Sequence, residues 1–311
     1  MKGSICMIRY KKLGYVALNV SNIEKSVEFY RDIVGLELAE MKEDIAFLRC
    51  SSDHHNFILY PSDRPGLKRV AFEVEDENQL IIATEKLKKA GVTATELVKA
   101  ESDSLYQGKT IRFFEPNTGI TFELYSEIKQ LNEPYIPKVK GVKPSKITQL
   151  GHAVVDVEDE KFDGALQFFM DVLNFKVSDF SGDRIGWSWM RAFPNPLHHT
   201  FAMVRGTETK LNHIAFMIED FDSIGIGRNR LIDHEIPIVF GPGRHKPSGS
   251  IFLYFLDPDE LTMEFSNGME EFPEQNPREP RLLEPNLETL DLWGGIPDPR
   301  FGAVGEIEKG N

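Results

Sequence analysis

The feature that most constrains this chain is an internal repeat with a period of about 140 residues. Leu13-Gly14-Tyr15-Val16-Ala17-Leu18-Asn19-Val20 parallels Leu150-Gly151-His152-Ala153-Val154-Val155-Asp156-Val157, and both alternate as half-buried strands do. Each is followed by a stretch, 26–34 and 165–173, whose large apolar residues recur every three or four positions, the spacing of an amphipathic helix. Leu67-Lys68-Arg69-Val70-Ala71-Phe72 then matches Leu211-Asn212-His213-Ile214-Ala215-Phe216. Glu115-Pro116 and Phe122-Glu123 match Asp257-Pro258 and Met263-Glu264. Each half reads as strand, helix and several strands, then the same again, which is an α+β chain with mixed sheets, built twice. Residues 1–130 are expected to form a first domain, 131–147 a linker with prolines and lysines, and 148–270 a second domain. Residues 271–311, rich in proline and acidic side chains, are expected to wrap over a surface, docking through Leu290, Leu292 and Trp293.

A chain of 311 residues exceeds what one core usually serves, in agreement with two domains. Its 36 basic and 49 acidic residues give a net charge of −13, which opposes nucleic acid and anionic membranes as partners. It holds no apolar run long enough to span a bilayer, and the first residues lack the apolar region of a secretory signal, so the cytoplasm is the expected compartment. Cys6 and Cys50 are too few for a disulfide framework and are read as reduced thiols.

The repeat supplies its own control, because positions that differ between the copies mark added chemistry. His152 stands where the first copy has Tyr15, and His213 where it has Arg69, whereas Glu264 matches Glu123. Only the second copy offers two imidazoles and a carboxylate, all on expected strands. That donor set leaves positions open on an octahedral ion and is the arrangement of non-haem Fe(II) oxygenases. Manganese(II) fits the same donors; zinc, which passes no electron, suits such chemistry less. A lone strand histidine is more often a core residue than a ligand, so the weight lies on the combination. His54, His55 and His234 read as surface or loop residues.

These residues resemble the type I extradiol catechol dioxygenases, members of the vicinal oxygen chelate superfamily built from paired βαβββ modules. The likeness spans about 8–270. Its most specific part is Gly243-Arg244-His245, then seven residues, Leu253-Tyr254-Phe255-Leu256-Asp257-Pro258-Asp259-Glu260, then three residues and Glu264. Glu260 departs from the glycine or proline usual in the family. The resemblance implies two tandem domains with mixed half-barrel sheets, the first without metal. It implies His152, His213 and Glu264 as ligands of Fe(II), or of Mn(II), and a homo-oligomer. His199, fourteen residues before His213, becomes the candidate acid/base, with His198 as the weaker alternative, and His245 with Tyr254 a pair that hydrogen-bonds metal-bound oxygens.

The implied reaction inserts both atoms of O₂ into a catechol beside its hydroxyl carbons, giving a muconate-semialdehyde type product. Val154, Trp189 and Phe201, with Trp187 and Phe193 nearby, suggest a pocket for an apolar ring substituent, while Arg191 and Arg244 are the side chains that could bind an anionic one. The alternatives are another metal-dependent reaction on the same scaffold, or a non-catalytic protein that holds an aromatic ligand.

Overall fold

The computed structural model describes residues 7–141, 143, 145–182, 184 and 186–310. Cys6 lies outside them; Cys50 is a free thiol whose burial pushes its pKa up to about 12, which makes it inert.

The first half runs β1 (Tyr10–Val20), α1 (Ile23–Glu28), β2 (Glu37–Lys42), β3 (Ile45–Arg49) and β4 (Phe57–Pro61). It continues with β5 (Gly66–Val74), α2 (Glu77–Lys89), β6 (Thr95–Glu96), α3 (Lys99–Ser104), β7 (Thr110–Phe114) and β8 (Thr121–Tyr125). The second half has β9 (Ile147–Glu158), α4 (Asp159–Asp171), β10 (Phe175–Ser181), β11 (Trp187–Ala192) and β12 (Phe201–Gly206). It then has β13 (Lys210–Ile218), α5 (Phe221–Asp233), β14 (Ile238–Arg244), β15 (Ile251–Leu256) and β16 (Thr262–Asn267). Two of the module helices start in the same way: Asp76 and Asp220, each just past a strand, accept the amide three residues on and so satisfy a free N–H of the first turn.

Each half forms one mixed sheet. The order is β2-β3-β4-β1-β5-β8-β7-β6 in the first and β14-β15-β16-β13-β9-β12-β11-β10 in the second. The parallel pairs β1/β4 and β5/β8 recur as β9/β12 and β13/β16. The helix-covered faces of the two sheets share one apolar cluster, so the cores expected in the two halves are continuous. Tyr10 packs edge-on against Phe72 and Phe175 and donates its hydroxyl to the Leu173 carbonyl at 2.7 Å. Tyr30, in the π-helical segment Phe29–Val34 that continues α1, donates to Asp257 Oδ2 at 2.7 Å and ties that segment to the turn before β16.

That turn explains Glu260. Asp257 Oδ1 accepts the amides of Asp259 and Leu261, and the chain closes with Glu260 at φ 64°, in the left-handed region. In the first half Glu115 accepts the amides of Asn117 and Thr118, and Gly119 takes the left-handed position at φ 74°. Glu260 therefore departs from the expected glycine in identity and not in shape.

The tail adds β17 (Arg281–Leu283) beside β10, a single turn α6 (Leu287–Leu290), and β18 (Glu306–Ile307) against β5 of the other sheet. A Cβ at Gly66 would meet the Glu306 backbone at 2.0 Å, so only glycine permits that crossing. Of the three expected docking residues Leu290 turns inward, but Leu292 and Trp293 stay about half exposed. The tail docks instead through the buried Asp291, whose carboxylate accepts the amides of Arg244, Trp293 and Gly295. Among the described residues no helix is long and apolar enough to cross a membrane.

Because Tyr30 supplies a buried donor to a buried carboxyl group, Tyr30→Phe is expected to cost about 1–3 kcal/mol of stability, read from urea unfolding curves. An unchanged midpoint would show that the contact between the halves carries no weight.

Candidate metal centre

The three residues that distinguish the second half lie on neighbouring strands of one sheet: His152 on β9, His213 on β13 and Glu264 on β16. Register places Ala215 opposite His152 and beside Glu264, with His213 two residues away on the same face. The structure brings the three together. One ligand atom from each lies within 4.8 Å of the others, and all three side chains are buried.

The contacts within this trio are what a cation makes favourable. His213 Nδ1 bonds Asn212 Oδ1 at 2.7 Å, and Asn212 is itself oriented by donating to Asp156 at 2.8 Å. An amide oxygen only accepts, so His213 carries its proton on Nδ1 and presents a lone pair at Nε2. That nitrogen then sits 3.4 Å from Glu264 Oε2 and 3.3 Å from His152 Nε2. His152 Nε2 is 2.9 Å from Glu264 Oε2, yet neither carboxylate oxygen receives a well-aligned hydrogen bond. A buried carboxylate left this way costs several kcal/mol unless a cation lies among the lone pairs. Burial opposes ionisation of Glu264, but the two imidazoles outweigh it and hold its carboxyl well below the usual range. Burial lowers His213 to about 4, so its imidazole is neutral near pH 7, the form that can ligate a metal.

A pocket of about 210 Å³ opens over the trio. Because side chains from β11 at one side of the sheet and β14 at the other line it together, the sheet must curl around it. Val154, Trp187 and Trp189 line it, as does Ala202. Phe201 does not: it lies on the opposite face, against Phe122 and Phe169 in the core, because alternation turns Ala202 and not its neighbour toward the site. Phe193 is also elsewhere, and among the described residues no lysine or arginine lines the pocket. Arg244 bonds the Gly249 carbonyl instead.

His199 lines the pocket with its ring centroid 4.1 Å from that of His152, while burial, reinforced by the neighbouring imidazoles, holds its pKa well below the usual value. His198 points away, bonding His199 Nδ1 at 3.1 Å through its own Nδ1 and Asp179 at 2.8 Å through Nε2. His245 Nδ1 donates to the Leu290 carbonyl at 2.6 Å, which leaves Nε2 to accept the Tyr254 hydroxyl at 2.9 Å.

A model of one protein family matches residues 12–124 and again 149–265, the two halves of the repeat, and so most of the chain. The chain belongs to the glyoxalase/bleomycin resistance protein/dioxygenase superfamily. Among curated members of the superfamily it is 31% identical over 265 residues to a manganese-dependent 2,3-dihydroxybiphenyl 1,2-dioxygenase of Geobacillus genomosp. 3, covering 79% of this chain and 81% of that one. It is 23% identical over 272 residues to an iron-dependent extradiol dioxygenase of Rhodococcus jostii, covering 82% and 88%. Among solved structures it resembles homoprotocatechuate 2,3-dioxygenase of Brevibacterium fuscum, with a TM-score of 0.83 at 22% identity over 98% of this chain and 95% of that one. That likeness shows the fold.

In the first half the matching carboxylate, Glu123, is equally buried, and among the described residues its neighbours form no metal-ligand cluster. Tyr15 donates to Glu123, Arg69 Nε donates to Tyr15 at 2.9 Å, and Arg112 Nε donates to Glu123 at 2.7 Å. Phenol and guanidinium fill the space that imidazoles line in the other half. His54 and His55, expected as surface or loop residues, do lie in the loop before β4 but are buried there. They precede β4 as His198 and His199 precede β12, so the repeat itself could have flagged them. His234 ends α5 exposed, as expected. Four contributors to the second site were not anticipated: Asn212, Asp179, Phe301 and the Leu290 carbonyl. Asn212, next to a candidate ligand, carried a sequence signal; Asp179, in a strand that also holds Lys176, Ser178 and Ser181, and Phe301, far along the tail, carried none.

Asp179 is fully buried, and burial raises its pKa, but His198, Arg281 and Arg278 outweigh that and hold the carboxyl below its usual range. The folded state therefore favours the carboxylate, and this stabilisation is complete above the unfolded pKa and lost on acidification. Asp179→Asn is expected to destabilise by roughly 2–3 kcal/mol at pH 7. The gap to the unsubstituted protein should shrink as pH falls below about 3.9, measured by denaturation at several pH values. A constant gap would refute the assignment.

Proposed function

We propose that this chain is an extradiol ring-cleaving dioxygenase that inserts both atoms of O₂ into a catechol with an apolar substituent. The observation that carries the reading is the buried His152, His213 and Glu264 trio at the floor of an apolar pocket. Iron(II) is the ion we assign to it, and manganese(II) suits the same two nitrogens and one oxygen. Held there, such an ion would supply the redox step that lets triplet O₂ react with a singlet catechol. The relatives support this, one being named manganese-dependent and another iron-dependent.

The protein's own part is proton handling and shape. Asp179 offers only acceptors, so His198, kept neutral by burial, turns its Nε2 proton toward it and leaves Nδ1 to accept. His199 then donates its Nδ1 proton to His198, and its remaining lone pair is free on Nε2. His199 is thereby set as the acceptor of a catechol proton, and it returns that proton as the ring opens. His198, the weaker acid/base alternative, acts through His199. Tyr254, donating to His245, keeps its own oxygen available to a substrate hydroxyl. Trp187, Trp189, Phe240 and Phe301 exclude water, and without a lysine or arginine in the pocket a carboxylated ring gains no counter-charge. The same reading includes self-association, which the exposed tail side chains Leu282, Leu287 and Ile296 support.

The deciding experiment is anaerobic purification with Fe(II), metal analysis, and oxygen uptake with catechol, 3-methylcatechol and 2,3-dihydroxybiphenyl. Stoichiometric uptake with a yellow product is expected, fastest with the apolar-substituted rings; metal bound without uptake would move the reading to a non-oxygenase reaction. His213→Ala should lose both metal and turnover. His199→Ala should keep metal and slow ring cleavage by about 10²–10⁴-fold. His198→Gln, which keeps one acceptor and one donor, should stay well above His198→Leu at equal metal content. Equal rates for those two would remove the role given to His198.

A further inference from the structure

Arg191, one of the two arginines that an anionic substituent could have used, does not reach the metal pocket. It lines a separate open cleft of about 730 Å³ between β10, the end of α4 and tail residues 276–280. The side chain is 3% exposed, and its Nε and Nη1 have no hydrogen-bond partner. Arg278 also lies over the Phe272 ring, the guanidinium carbons of Arg278 and Arg191 lying 4.6 and 4.5 Å from its centroid. Arg278 is already compensated by Asp179 and Glu270. The residue directly across the strand pair from Arg191 is Lys176, a second cation, and like charges in that position repel. Asp171 and Glu279 also line the cleft, and neither forms an ion pair with Arg191.

The repeat again supplies the control. Met190 pairs with Phe201 as Leu48 pairs with Phe57, so Arg191 corresponds to Arg49 and Lys176 to Glu37. Arg49 is equally buried and has its carboxylate, since its Nη2 donates to Glu37 Oε1 at 2.8 Å. In the second half the guanidinium is kept, the carboxylate has become an amine, and a cleft open to solvent has replaced the closed pair. A buried arginine with no counter-charge is costly, and a guanidinium beside an ammonium is the donor set that oxyanions take. We propose that this cleft binds a small oxyanion, of phosphate or carboxylate type, between Arg191 and Lys176, supplying the charge that Glu37 gives Arg49 in the other half. The anion would brace tail residues 276–280 against β10, away from the metal centre.

The test is thermal unfolding of the full chain, with inorganic phosphate or sodium malonate titrated against potassium chloride at equal ionic strength. The melting temperature should rise saturably, by about 2–4 °C at a tenfold excess over Kd. A larger response to phosphate or to malonate assigns the source. Lys176→Glu rebuilds the first half's pair and should raise the melting temperature without added anion while abolishing the response. Arg191→Met should abolish the response as well, and both variants should keep the oxygen uptake of the unsubstituted protein, so this result stands apart from the reading of the metal centre. No response beyond chloride, or a full response in Arg191→Met, would overturn the proposal. So would dissociation of an oligomer by Arg191→Met in sedimentation, because a second copy would then be supplying the charge.

Discussion

A carboxylate buried at the centre of a sheet is the constraint around which both halves of this protein are arranged. Glu123 and Glu264 occupy equivalent positions and are both fully buried, where an unpaired negative charge is untenable. The first half answers with Tyr15 and two guanidiniums, fixed positive charge that fills the space. The second answers with two imidazoles, which bring ring nitrogens in place of a guanidinium and leave a cavity above. The same backbone thus gives a closed ion-pair cluster once and, once, a buried trio of side chains that could hold a cation. The difference lies in whether the positive charge is part of the chain or must come from outside.

Hydrogen bonds then fix which nitrogens face that site. Asp156 orients Asn212 and so His213, Asp179 orients His198 and so His199, and the Leu290 carbonyl orients His245 and so Tyr254. Each chain ends on a group with only one role to offer, so each imidazole has one neutral form that satisfies its neighbours. The tail enters the chemistry here: held by Asp291 and by β18 across both sheets, it places the Leu290 carbonyl and Phe301 at the pocket. It is part of the site's wall as well as a connection between the halves.

Most of the fold and the centre of the site were legible in the sequence, because a repeat turns one sequence into a comparison of two. Alternation gave the strands bearing His152, His213 and Glu264, and the absence of the two histidines from the first half singled the set out. The same alternation was less informative at Phe201, since an aromatic suits the core and a pocket equally and only the register shows which face it takes. His54 and His55 lie in a loop, one of the two settings expected of them, but their burial did not show in the sequence, since adjacent histidines in a polar stretch look exposed until the loop is seen folded against the sheet. Leu292 and Trp293 looked like docking residues because they are apolar, yet the tail is anchored by the hydrogen bonds of Asp291.

The sequence by itself determined the repeated α+β architecture, the candidate trio of His152, His213 and Glu264, and the overall charge, since these follow from periodicity and residue type, which are local properties. Tertiary structure alone decided how each imidazole is oriented, which aromatic side chains reach the pocket, and where the tail crosses. It also left Arg191 opposite a lysine and without a counter-charge. Those outcomes depend on pairings between residues far apart in the chain, and composition and spacing carry no record of which atoms such pairings bring within hydrogen-bonding distance.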